Sequence, residues 1–345
     1  MNSNHTIAVF GAYGHTGRFV VAELLRRGWT PVASGRDAAK LAALAAAHPG
    51  LAVRAAAIDD PAALDSALKG AAAVINCAGP FASTAAPVID AALRARIPYL
   101  DVAAEIEANL DTFAHYTDRA RDAGLLVVPA MAFYGGLSDL LATAAMGDWP
   151  SADEISVAYG LSSWAPTAGT RVAGQVSRQR RGGRRLVFTQ GQLAYRTDAA
   201  PPGEWAFPAP LGTQPVVTEF TMADSVTIPR HLKVQEIRTY MAAVAVKDLI
   251  NPDLPAPPAV DDSGRSSQTF VVEVVVRSAG RERRAVARGR DIYAISAPLV
   301  VEAAVRAVTG RALATGVRAA GEAFDARDFL QSLSIRDLAL ELHGL

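Results

Sequence analysis

Three glycines, Gly11, Gly14 and Gly17, stand at three-residue spacing in the stretch VFGAYGHTGRFV, between an apolar run and the start of a helical pattern. Such a turn lets the chain reverse tightly, admits close approach of backbone to a pyrophosphate, and seats the next helix closely on the strand before it. The helix N-terminus then faces the phosphates. The spacing is G-x-x-G-x-x-G, with Ala12 where the commoner dinucleotide fingerprint would have a glycine, so the turn is one residue longer. Tyr13, His15 and Thr16 belong to the same loop and count with the glycines as candidate dinucleotide contacts. For His15, a solvent-facing place serves as well as one over the cofactor.

A second group follows in ASGRDAAK, at the end of the next apolar run, where a dinucleotide-binding fold chooses its cofactor. An acidic residue there would bond the ribose 2′-hydroxyl of NAD. This chain has Ser34, Gly35, Arg36 and Lys40 instead, which suit a 2′-phosphate: Arg36 can stack on adenine and bond the phosphate, and Ser34 offers a hydroxyl. NADP(H) is therefore the expected cofactor. Asp37 fits helix capping better than ribose binding, and Asp59, further on, is placed to meet the adenine edge or simply to start a helix.

The elements that must position these residues are legible around them. TIAVFG reads as a buried strand, TGRFVVAELLRRG as a helix closed by Gly28, TPVASGR as a strand, and DAAKLAALAAAH as a helix capped by Asp37. The alternation continues through LAVRAAAID, a helix with Asp60 as cap, Pro61 at its first position and Gly70 as stop, then AAVINCAGP, STAAPVIDAALRARI, PYLDVA, NLDTFAHYTDRARDAG and LLVVPAMA. Six short strands separated by helices predict an α/β fold with a Rossmann-type, doubly wound parallel sheet over residues 1–148. From about 149 to 288 the helical period fades into β-rich stretches such as EISVAYGL, RRLVFTQGQLAYR and a hairpin turning at Ala279 and Gly280, predicting a second α+β, mostly antiparallel domain. Over 289–345 helices return, SAPLVVEAAVRAVTG with Ser296 as cap and Gly310 as stop, then DARDFLQSL and SIRDLALELHG, expected to pack back on the first domain. NPDLPAPPAVDDSGRSS reads as a surface loop or a mobile lid, and RQRRGGRR as a solvated hairpin tip.

Composition narrows the classes. The 345 residues are half apolar and one-fifth charged, with 34 basic and 34 acidic side chains, so no general field favours nucleic acid or anionic lipid. No window approaches the roughly 18 uninterrupted apolar residues of a membrane span. Cys77 is the sole cysteine, which excludes an intramolecular disulfide, and the six histidines show no metal-ligand spacing. The opening MNSNHTIAVFG lacks the order of a signal peptide, so the cytoplasm is the expected address.

With GAYGHTG and SGR, the stretches INCAGPF, IPYLDVAAE, GLLVVPAMAFYGGLSDLLA, GRDIYAISAPLVVEAA and GVRAAGEAFDARDFL resemble the saccharopine dehydrogenase-like NADP-binding oxidoreductases, over roughly half the chain. Two departures stand out: Ala104 precedes Glu105 where the family often has glycine, and AFYGGLSD replaces its usual GFD-S-x-P-S-D. The resemblance implies that NCAGPF, DVAAE and AFYGG converge around a nicotinamide. Asn76, Cys77, Ala78, Gly79 and Pro80 then form a backbone wall along ribose and ring, with Cys77 a small apolar residue rather than a nucleophile. Tyr134 is the first candidate proton donor, with Tyr99, Asp101 and Glu105 as neighbours that position substrate or relay a proton.

Two functions follow from this reading. One is an NADPH-dependent oxidoreductase reducing a C=N or C=C bond of a small-molecule or acyl-thioester substrate, the basic RQRRGGRR stretch in its sharper reading meeting an anionic acyl carrier or coenzyme A. The other is a catalytically idle NADP(H)-binding sensor. Arg171, Arg178, Arg230 and Arg238 are candidate holders of a substrate carboxylate. The resemblance also implies a homodimer through the β-rich domain.

Overall fold

A computed structural model describes residues 5–334 and 338–343. The chain divides into two compact units, one of Met1–Ala132, Ser296–Arg318 and Glu322–Phe324, the other of Phe133–Ile295, Ala319–Gly321 and Asp325–Leu345. The first division thus falls at residue 132 rather than 148, because the turn and helix after Ala132 pack with the β-rich unit.

In the first unit, β1 (Thr6–Phe10), β2 (Thr30–Gly35), β3 (Ala52–Ala55), β4 (Ala73–Asn76), β5 (Tyr99–Asp101) and β6 (Leu126–Val128) lie in the order β6-β5-β4-β1-β2-β3, all pairs parallel. Sequence order therefore reverses at β1, which lies between β2 and β4. That reversal is where an open α/β sheet binds its ligand. Ile7, Ala8 and Val9 are wholly buried, as an apolar run covered on both faces requires. The connecting helices are α1 (His15–Arg26), α2 (Ala38–Ala47), α3 (Pro61–Leu68), α4 (Phe81–Ala95) and α5 (Ile106–Asp122). Asp37 and Asp60 cap α2 and α3 by accepting from the backbone N–H of Lys40 and Ala63, each at 3.0 Å.

The second unit contains α6 (Ser138–Met146), β7 (Ala152–Leu161), α7 (Ala168–Arg180), β8 (Arg185–Thr189), β9 (Gln192–Arg196), β10 (Pro202–Phe207), β11 (Gly212–Thr218), α8 (Asp224–Thr227), β12 (Val234–Ala242), α9 (Ala243–Ile250), β13 (Thr269–Ser278) and β14 (Arg281–Arg290). Its sheet is mostly antiparallel, with β7 and β12 paired in parallel. The β13–β14 hairpin turns on Ala279 and Gly280, both at positive φ, the conformation that a two-residue turn needs to match strand twist. RQRRGGRR is not a hairpin tip. It is the last turn of α7, a Gly182–Gly183 reversal and the start of β8, since the backbone of AGTRVAGQVSRQR winds into a helix capped by Thr167.

The chain then returns to the first unit with α10 (Ser296–Val308), which packs on α1, β4 and β5, and with β15 (Gly316–Val317), a seventh parallel strand beside β6. The remainder differs from expectation. After the short α11 (Ala320–Ala323), α12 (Ala326–Ser334) and β16 (Ala339–His343) belong to the second unit. SIRDLALELHG is expected to be helical, yet 339–343 pair as a strand with β14; its residues 335–337 and 344 lie outside the described residues. Residues 251–268 form neither helix nor strand and are largely exposed.

Candidate dinucleotide site and active-site residues

The glycine turn leaves β1 with Gly11 at φ +79°, a left-handed conformation that glycine adopts without strain. Gly11 and Ala12 donate their N–H groups to the Ser34 carbonyl at 2.8 and 3.1 Å, which ties the turn to β2. A Cβ on Gly11 would stand 2.7 Å from the backbone nitrogen of Ala78, and one on Gly17 only 2.2 Å from the Gly11 carbonyl oxygen. The turn, α1 and the loop after β4 are therefore in backbone contact. Gly14 is the N-cap of α1; no side chain caps this helix, and its first turn carries no acidic residue. That end is left as a site for an anion, where first-turn N–H groups and the helix dipole favour negative charge.

At the end of β2 the expected contacts separate. Arg36 and Lys40 are exposed, as a phosphate-binding pair must be, whereas Ser34 is wholly buried and its hydroxyl has no hydrogen-bond partner among the described residues. Ser34 serves the turn through its carbonyl oxygen. The Tyr13 ring lies against Gly35, and the Lys40 ammonium stands 5.7 Å from its centroid. Asp59 is exposed in the loop before α3, one residue ahead of the actual cap, Asp60. His15 packs edge-on to Phe19, and Thr16 follows it in the first turn of α1, both half-buried.

The ends of β4 and β5 form a buried polar cluster. Asn76 donates to the Tyr99 hydroxyl at 3.1 Å and accepts from Ala78 N–H at 3.0 Å, while Tyr99 donates to Asp101 at 2.9 Å. Asp101 also accepts from Ala103 and Ala130 N–H; burial outweighs these bonds and pushes its carboxyl up to about 6. Burial, with Asp101 beside it, likewise raises the Tyr99 phenol and the Cys77 thiol above their usual ranges, so Cys77 is no ready nucleophile. Both Glu105 oxygens are engaged at the start of α4, accepting from Phe81 and Ala82 N–H at 2.6 and 3.0 Å. These bonds fix the loop carrying Gly79 and Pro80. Asn76 and Tyr99 are brought together at the ends of β4 and β5, and Glu105 is brought to the start of α4.

Tyr134 lies in the second unit, in the turn Phe133–Leu137 where Gly135 takes φ +100°. Its ring contacts those of Phe133, Tyr159 and Trp164 at centroid distances of 4.8, 5.1 and 4.8 Å, and its buried hydroxyl has no hydrogen-bond partner among the described residues. Burial holds this phenol well above its usual range. Beneath the turn lies a network that residue spacing did not reveal: Tyr159 donates to Asp224 at 2.8 Å, Ser138 also donates to Asp224, and burial pushes that carboxyl up to about 6. Ser138 lies in the quoted YGGLSD stretch, but Tyr159 and Asp224 carry no local signal. Nearby, His231 Nε2 lies 2.7 Å from Asp139. Among the arginines, Arg171 donates to the Leu254 carbonyl and Arg238 pairs with Glu154, while Arg178 and Arg230 are exposed.

Residues 7–128 match the family model described as the saccharopine dehydrogenase NADP binding domain. This match covers about a third of the chain, and it supports NADP(H) as the cofactor. Relatives include a probable mitochondrial saccharopine dehydrogenase-like oxidoreductase of Arabidopsis thaliana, 32% identical over 37% of this chain and 32% of that one. A saccharopine dehydrogenase-like oxidoreductase of Homo sapiens is 31% identical over 39% of this chain and 35% of its own. The matches thus span about a third of the length of these curated relatives. In fold, the whole chain is similar to apo saccharopine dehydrogenase (L-Glu forming) of Saccharomyces cerevisiae, with a TM-score of 0.66, 13% identity, and coverage of 98% of this chain and 100% of that one.

Proposed function

We propose that the protein is an NADPH-dependent oxidoreductase of the saccharopine dehydrogenase-like type, reducing a C=N or C=C bond of a small-molecule or acyl substrate. The observation that carries this reading is the uncapped start of α1 behind the glycine turn, with exposed Arg36 and Lys40 at the end of β2. The site fits the cofactor: the turn has no room for side chains at Gly11 and Gly17, and the neighbouring helix end lacks its own anion. NADPH, when bound, supplies the hydride. The Ser34 carbonyl fixes the turn, Arg36 and Lys40 bind the 2′-phosphate, and Asn76 and Glu105 shape the 76–80 wall.

Tyr134 is the proposed proton donor. A buried hydroxyl without a partner costs stability, so keeping one supports a role toward a bound substrate. Tyr99 and Glu105, with their bonds already committed, are positioning residues in this reading. The reading extends, as a proposal, to a homodimer in the cytoplasm. The Arabidopsis relative is named mitochondrial. No helix among the described residues is long and apolar enough to cross a membrane. The test is NADPH oxidation against a panel of cyclic and amino-acid-derived imines and enoyl thioesters. Turnover of either class supports a reductase and chooses the bond. Tight NADPH binding with no turnover across both classes contradicts it and favours the idle sensor.

A further inference from the structure

Tyr13 joins three segments. A Cβ built on Gly35 would stand 2.7 Å from Cε1 of the Tyr13 ring, 3.2 Å from Cζ and 3.3 Å from its hydroxyl oxygen, so the ring occupies the space that glycine leaves at the end of β2. Above it, the Lys40 ammonium comes within cation–π range, 5.7 Å from the centroid. Lys40 also lies 3.4 Å from Asp37, and its side chain is 66% exposed. A four-carbon stem so exposed has wide rotamer freedom unless something holds its head. The ring and Asp37 both contact that head. Arg36 follows Gly35 directly in the sequence and is exposed, so a second cation is available at the end of β2.

We propose that Tyr13 is a specificity-determining residue for NADP: its ring holds the Lys40 ammonium in place at the end of β2, so that the 2′-phosphate meets two positioned cations, Arg36 and Lys40. Asp37, the carboxylate in this cluster, opposes an anion, but it accepts the Lys40 backbone N–H and faces the Lys40 ammonium, which offsets its charge. A cofactor without the 2′-phosphate has nothing for Lys40 to bind. The ring should therefore matter to NADPH and little to NADH. This inference rests on the cofactor being NADP(H), and the unaltered protein tests that separately by binding NADPH or failing to.

The experiment measures dissociation constants for NADPH, NADH and 2′,5′-ADP by fluorescence or calorimetry in the native protein, Tyr13→Phe, Tyr13→Ala and Lys40→Met. Phenylalanine keeps the aromatic face, so Tyr13→Phe should match native. Tyr13→Ala and Lys40→Met should each weaken NADPH and 2′,5′-ADP about three- to tenfold while changing NADH less than about twofold. A double variant carrying Tyr13→Ala and Lys40→Met should be no worse than Lys40→Met alone, because the ring acts through the lysine. Equal weakening of NADPH and NADH in Tyr13→Ala would make the ring a brace for the glycine turn and overturn the proposal. So would a loss in Tyr13→Phe as large as in Tyr13→Ala, which would make the hydroxyl the contact. Should Tyr13→Ala fail to fold, Lys40→Met decides: unchanged discrimination in that variant contradicts the proposal by itself.

Discussion

The Tyr134 hydroxyl is enclosed by aromatic rings and makes no hydrogen bond among the described residues, although a phenol in that position forgoes its bonds to water. Tyr134→Phe removes the unsatisfied oxygen and keeps the ring packing, so it should stabilise the protein by about 1 kcal/mol in denaturant unfolding. If the phenol delivers the proton, turnover should fall by about 10² to 10⁴ with NADPH affinity unchanged. Stability and rate thus move in opposite directions, and a variant with native turnover would reduce Tyr134 to a packing residue. At this scale the sequence was legible where a residue type answers a backbone need. Gly11, Gly17, Asp37 and Asp60 act as their types and positions imply. Strand register decides which way a side chain points, and spacing alone does not show that the Ser34 side chain falls in the interior. Tyr159 and Asp224 were missed because sixty-odd residues separate partners that fold into hydrogen-bond contact.

Among the elements, the glycine turn and the turn beneath Tyr134 make the sharpest demands. Gly17→Ala would set a methyl 2.2 Å from the Gly11 carbonyl, backbone against backbone, whereas at Gly14 the same distance is 3.1 Å. Gly17→Ala should therefore abolish measurable NADPH binding or lower the melting temperature sharply, and Gly14→Ala should be much milder; equal effects would contradict this packing. Asp224 gives the second turn a pH signature. Its carboxyl is raised from 3.8 to about 6 in the folded protein, so between those pH values the unfolded chain ionises it while the folded chain keeps its proton. Stability is then lost as pH rises through that window, about 2 to 3 kcal/mol for this group, and does not return above it. Asp224→Asn lacks that loss, so its stability relative to native should rise by about this amount between pH 4 and 6.5; a flat difference would show that Asp224 titrates normally. The sequence misjudged two elements for physical reasons. AGTRVAGQVSRQR mixes glycines and β-branched residues that favour helix weakly, yet forms α7. DLALEL favours helix, yet its alternating leucines also suit a strand, and pairing with β14 decides the matter.

In the whole molecule, the first unit is discontinuous in sequence: α10 and β15 come from residues beyond 295 and complete a unit that begins near the N-terminus. Leu299, Val300 and Val301 of α10 are fully buried, so a fragment ending at residue 132 leaves apolar surface open on α1, β4 and β5. That fragment should fail to unfold cooperatively, and fusing residues 296–324 to it through a flexible linker should restore cooperative unfolding; a cooperatively folded fragment 1–132 would contradict the arrangement. The order of alternating strands and helices made the parallel sheet legible, and the helical period of SAPLVVEAAVRAVTG, with the resemblance of GRDIYAISAPLVVEAA to a known family, pointed to the return of α10. The central claim is that the glycine turn and the cations after β2 select NADP(H). Titrating the intact chain with NADPH and NADH, beside Arg36→Ala, tests it most directly. NADPH should bind the native protein about 30-fold or more tightly than NADH, and Arg36→Ala should remove most of that difference, about 2 kcal/mol for a charge-assisted phosphate contact. Equal affinities in the native protein, or a preference for NADH, would contradict it.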